Sequence, residues 1–286
     1  MTTRTLESII ESIPASDGAG VKLRRSLGGR QGLRVDPFLM LDEFFSDNPN
    51  DYLAGFPSHP HRGFETVTYM LDGHMEHQDH LGNRGDLTPG SVQWMTAGRG
   101  IIHSEMPQQS EGRMRGFQLW INLPANEKMK PASYRDIPPE QIPVVTLTNG
   151  VRIKVIAGAF EHESKRTRGP VQGVTTDPVY FDIELPANTE LSLPLAADHN
   201  AFVYPYEGAL LIGPRNDRKP LHTRNAGVLS RGDSLSVAAG AVGARFLLLA
   251  AKSIGEPIVQ YGPFVMNTRE EIEQAIHDFQ AGRFVG

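Results

Sequence analysis

Short apolar runs, each broken within a few positions by Gly, Pro, Asp or Asn, recur along nearly the whole chain, and this punctuation restricts it to a fold of many strands. In the first half the runs are Phe38–Phe44, Phe64–Leu71, Met75–Asp79, Ser91–Met95, Ile101–Met106 and Met114–Leu123. Asp72-Gly73, Leu81–Gly85 and Pro89-Gly90 supply the turn chemistry between them. The second half continues with Val151–Ala157, Val179–Glu184, Thr189–Leu193, Ala201–Glu207, Ala209–Ile212, Ser234–Ala238 and Ala244–Ala251. Between the halves, Pro124–Pro143 centres on Pro138-Pro139 and reads as a linker in which helix and strand are both discouraged. With 286 residues and roughly 150 residues per domain, the expected division is residues 1–139 and 140–286. One helix is expected, at the C-terminus. Thr268-Arg269-Glu270-Glu271 forms a capping box, Ile272, Ala275, Ile276 and Phe279 share a face, and Gly282 suits the exit.

Composition removes several classes of function. The formal net charge of -5 gives no electrostatic reason for direct nucleic-acid binding. With no cysteine there is neither a disulfide framework nor a thiolate metal site, so redox chemistry requires a bound metal or cofactor. No run reaches the ~18 to 20 apolar residues that cross a bilayer. The first residues carry acidic side chains and no apolar core, so a cytoplasmic protein without membrane association is expected.

Two dyads carry the chemistry. Phe56-Pro57-Ser58-His59-Pro60-His61-Arg62-Gly63-Phe64-Glu65 places His59 and His61 two apart, on one face of an extended strand. Gly98-Arg99-Gly100-Ile101-Ile102-His103-Ser104-Glu105 repeats the spacing with an imidazole and a carboxylate. Three neutral imidazoles and one carboxylate suit a divalent first-row metal and can leave positions open for substrate or oxygen. Glu65 has the same strand parity as His59 and His61, so spacing alone does not choose between Glu65 and Glu105. His74, His77 and His80 sit among charged and polar neighbours and read as surface residues of a hairpin, with the alternative that one of them stands behind a metal ligand and orients it.

At these residues the chain resembles the pirin family. The resemblance is carried by Asp36-Pro37-Phe38-Leu39, His59-Pro60-His61-Arg62-Gly63-Phe64-Glu65-Thr66-Val67, Gln93–Gly100, Gln118-Leu119-Trp120 and the closing Gly262–Thr268. It implies an all-β bicupin: two stacked antiparallel β-barrels of jelly-roll type with a short C-terminal helix, and a metal in the N-terminal cupin domain only. The family pattern assigns the ligands to His59, His61, His103 and Glu105 and so decides against Glu65. It implies iron, expected as Fe(II); ligand type leaves manganese, nickel, copper and zinc open. The activity it implies is that of a quercetin 2,3-dioxygenase, opening a flavonol with O2 and releasing CO, with Glu105 as the base. Its alternative is a redox- or metal-sensing regulator that binds a protein partner such as a transcription factor or metabolic enzyme. The candidate surface for such a partner is Lys22–Arg25 with Arg30 and Arg34, a stretch that by itself reads as a solvated loop.

Overall fold

The computed structural model describes residues 2–29 and 33–285, which form mostly strand with one α-helix, Arg269–Gln280. Arg30 therefore lies outside the described residues. The chain forms two compact units: Met1–Ile13, Ser26–Pro37 and Glu140–Ser253 in one, Pro14–Arg25, Phe38–Pro139 and Ile254–Gly286 in the other. A single division after residue 139 does not describe them, because each terminus joins the unit built mainly by the opposite half. Strand Leu6–Glu11 pairs antiparallel with Asn225–Leu229, giving its backbone a ladder that its own neighbours do not provide.

The first unit is built on a nine-stranded sheet. Alternate residues Ile153 and Val155, Phe181 and Ile183, Phe246 and Leu248 fall on one face and join a single hydrophobic core. Two pairs of expected strands are fused. His199–Ile212 passes through register shifts at Pro205/Glu207 and Gly208/Leu210, and its partner Ser234–Lys252 is likewise continuous. Bulges let one long strand bend where the local pattern suggests an end.

The second unit contains a seven-stranded and a four-stranded antiparallel sheet. The Pro124–Pro143 stretch is not an unstructured linker. Within it Ser133–Ile137 pairs with Val92–Thr96, Tyr134 opposite Met95 and Asp136 opposite Gln93. Pro131 and Pro138 flank this strand without entering it, so no ladder donor is lost. The C-terminal helix is as expected. The Thr268 hydroxyl accepts from the Glu271 amide at 3.2 Å, the Glu271 carboxylate accepts from the Thr268 amide at 3.1 Å, and Gly282 leaves the helix at φ +67°.

Among the described residues no helix is long and apolar enough to cross a membrane. The basic stretch is largely internally paired: Lys22 meets Asp51 at 2.7 Å, and Arg25 meets Asp17 at 2.7 Å and Asp42 at 2.6 Å.

Candidate metal centre

The four-stranded sheet runs in the order Phe56–His61, Ile101–Pro107, Met75–Asp79, Arg84–Leu87. Phe56–His61 holds two prolines and lies at the sheet edge, where the missing donors cost no ladder bond. Its partner brings the two dyads together: His103 lies opposite His59 and Ile101 opposite His61, with a register shift between His103 and Glu105. On the other side His103 faces Asp79 and Glu105 faces His77. Directly opposed residues share a sheet face, so His59, His61, His77, Asp79, His103 and Glu105 all project from one face.

The side chains converge. His59 Nε2 and His61 Nε2 are 3.0 Å apart. The ring of His103 is centred 4.3 Å from that of His59 and 5.0 Å from that of His61. His59 Nδ1 lies 2.8 Å from the Pro57 carbonyl, which can only accept, so the ring hydrogen sits on Nδ1 and Nε2 presents a lone pair. Two overlapping triplets have ligand-capable atoms within 4.8 Å of one another: His59, His61 and His103, and His77, His103 and Glu105.

These residues fit a metal ion. Nitrogens bound at about 2.1 Å and at right angles stand about 3 Å apart, which matches the 3.0 Å His59–His61 separation. Nε2 of His103 is buried without a hydrogen-bond partner among the described residues. Burial, reinforced by the His59 imidazole, pushes His61 well below the ordinary histidine range. His103 is lowered well below it by burial and by His61, His59 and His77. Neutral imidazole is the ligating form.

The same shifts predict a pH dependence. As pH falls below about 6.5 the unfolded chain protonates these rings while the folded chain resists, so the unfolded state binds more protons. The metal-free protein is therefore expected to lose up to about 1.4 kcal/mol per pH unit per ring below that point. Thermal midpoints taken between about pH 7.5 and about pH 5 measure this; a flat profile contradicts it.

Glu65 points elsewhere. Gly63 adopts φ +90° and a Cβ there would stand 2.0 Å from the Val265 carbonyl oxygen. The chain turns at this glycine out of the four-stranded sheet and into Phe64–Asp72 of the seven-stranded sheet, so strand parity does not carry from His61 to Glu65. Glu65 accepts from the Thr96 hydroxyl at 2.7 Å and the Trp94 indole at 3.2 Å, and burial raises its pKa.

His77 was expected at the surface and is fully buried, stacked on Tyr134 with ring centroids 4.5 Å apart. Its neighbours Glu76 and Gln78 hide the signal, although Met75 is apolar at the same parity. His74 and His80 hydrogen-bond to Asp86 and the Ile102 amide near the surface, as the sequence suggests. The C-terminal segment braces both dyads: buried Arg62 donates to Asp278 at 2.8 Å, to the Phe284 carbonyl at 3.2 Å and to the Arg99 carbonyl.

Comparison with known proteins agrees with this architecture. Residues 20–121 match the pirin family model and residues 180–285 the pirin C-terminal cupin domain. A Pseudomonas aeruginosa protein named "putative quercetin 2,3-dioxygenase" is 56% identical over 271 residues, 94% of each chain. Human pirin is 42% identical over 269 residues, 93% of this chain and 88% of that one. A crystal structure of quercetin 2,3-dioxygenase from Acinetobacter baumannii superposes with a TM-score of 0.88 at 33% identity, covering 99% of both chains. With two cupin domains and relatives this similar along almost its full length, the chain belongs to the pirin family.

Proposed function

We propose that the protein is a metal-dependent dioxygenase, with Fe(II) held by His59, His61, His103 and Glu105, that opens flavonols such as quercetin with O2 and releases CO. The observation that carries this reading is a pair of triplets on one sheet face that share His103: His59, His61 and His103 in one, His77, His103 and Glu105 in the other. Support also comes from similarity to a solved quercetin 2,3-dioxygenase. When bound, the metal supplies Lewis-acid polarisation and a template that orients substrate and oxygen.

The protein's own residues supply binding and proton handling. His59 is oriented for ligation by its bond to the Pro57 carbonyl. Phe64 and Trp120 pack against His61, at 5.1 and 5.2 Å between ring centroids, and exclude water from that side. Glu105 takes the flavonol 3-hydroxyl proton. Its Oε1 accepts from the Thr68 hydroxyl at 2.9 Å, and the same Thr68 oxygen lies 2.6 Å from the Gln118 side-chain amide. The atom of Gln118 nearest Thr68 is Oε1, an acceptor; because a hydroxyl has one hydrogen, Thr68 serves Glu105 only when the Gln118 amide is turned about so that its NH2 donates. This row fixes the carboxylate without neutralising it.

The test is simultaneous measurement of O2 uptake, quercetin loss and CO release by iron-loaded protein. Stoichiometric consumption of both substrates is expected. No uptake with any flavonol would favour the metal-sensing regulator, whose partner would then be sought by binding rather than turnover.

A further inference from the structure

Resting on the metal reading above, we infer that His77 and Asp79 form a positioning relay that fixes the tautomer and orientation of His103. Ligation through Nε2, the buried atom of His103 that lacks a partner, leaves the ring hydrogen on Nδ1. The neighbour of that nitrogen is His77 Nδ1 at 3.3 Å. His77 must therefore accept there, which puts its own hydrogen on Nε2. That nitrogen is buried with no hydrogen-bond partner among the described residues and stands 3.6 Å from Asp79 Oδ2, longer than a hydrogen bond, in a pair whose side chains are both fully buried. Asp79 is in turn anchored: Oδ1 accepts from the Leu81 amide at 2.9 Å and the Asn83 amide at 3.1 Å, and Oδ2 from the Asn83 side chain at 2.8 Å.

The row runs in one direction: His103 donates to His77 Nδ1 at 3.3 Å, and the hydrogen left on His77 Nε2 points at Asp79, an electrostatic contact at 3.6 Å and not a hydrogen bond. The stack of His77 on Tyr134, 22° from parallel, holds the ring plane. His59 has a backbone carbonyl as its orienting acceptor, whereas His103 has a second imidazole with a carboxylate behind it. His77 is thus a positioning residue and does not need to touch metal or substrate. Its own atoms also fall within ligand distance of His103 and Glu105, so direct ligation is the competing arrangement that the experiment must separate.

Zinc(II) is a diamagnetic probe that can be titrated into the whole chain against a chelator. His77→Phe keeps the ring stack and removes the acceptor; it is expected to weaken zinc binding about 10- to 100-fold. His77→Asn restores an acceptor near the Nδ1 position and is expected to recover most of that loss. Independently of any variant, histidine 15N spectra of the zinc-loaded wild type should show His103 protonated at Nδ1 and His77 at Nε2. The inference is overturned by zinc binding unchanged in His77→Phe, by the opposite tautomers, or by a loss beyond about 1,000-fold in both variants, which would make His77 a ligand. A wild type that takes up no zinc overturns the metal reading as well; a zinc-binding wild type with indifferent His77 variants overturns this inference alone.

Discussion

Glu105→Gln is expected to retain the metal and to lower flavonol turnover by about 100- to 10,000-fold, the range set by loss of one general base. A flavonol reacts with oxygen more readily as its anion, so some group must take the 3-hydroxyl proton. The glutamine keeps an oxygen donor of similar shape and preserves the hydrogen bond from Thr68, seen at 2.9 Å. It cannot accept a proton at neutral pH. His61→Ala is the contrasting variant, expected to fold but to hold little or no metal, because it removes one member of the converging imidazole triplet. Metal content by elemental analysis and turnover by O2 uptake separate the two effects. Wild-type turnover in a metal-loaded Glu105→Gln protein would refute the base assignment. Full metal content in His61→Ala would refute the ligand assignment.

Lys128→Met is expected to cost about 3 kcal/mol or more of folding stability, with unsatisfied buried acceptors each costing about 1–3 kcal/mol. Lys128 is 1% exposed, and its ammonium donates to the Gly63 carbonyl at 2.7 Å, Asn122 Oδ1 at 2.6 Å and the Val265 carbonyl at 3.0 Å. Three donors meet three acceptors. Burial lowers its pKa to about 8, so the group remains mostly charged at neutral pH. Methionine fills similar volume and supplies none of these bonds. Because Gly63 follows the His59–His61 strand and Val265 belongs to the closing segment, the same change should also weaken metal binding. The urea midpoint with the metal removed gives the stability term alone. A shift equivalent to less than about 1 kcal/mol would show that water or rearrangement replaces the lysine, against this account.

Much of the site's framework is local and therefore readable along the chain. Phe64–Asp72, Met75–Asp79 and Ile101–Pro107 lie within a residue or two of their expected bounds, because alternation and turn residues act over a few positions. The same two-residue period places His59 with His61 and His103 with Glu105 before any partner strand is known. Thr268 and Glu271 likewise define the helix start from four consecutive residues.

Pairing between distant strands decided the rest. Glu65 and Glu105 are equivalent by spacing; Gly63 separates them, since its φ of +90° and close approach to Val265 send the two sides of the turn into different sheets. His77 resembles a surface residue among charged neighbours until the Glu105–His77 register turns it toward His103. The proline-flanked segment Ser133–Ile137 becomes a strand because Val92–Thr96 offers it a ladder. Leu6–Glu11 finds its partner more than 200 residues away, at Asn225–Leu229. A side-chain period tells which residues share a face; only the fold determines which face they meet, because backbone hydrogen bonds between strands carry no local sequence code.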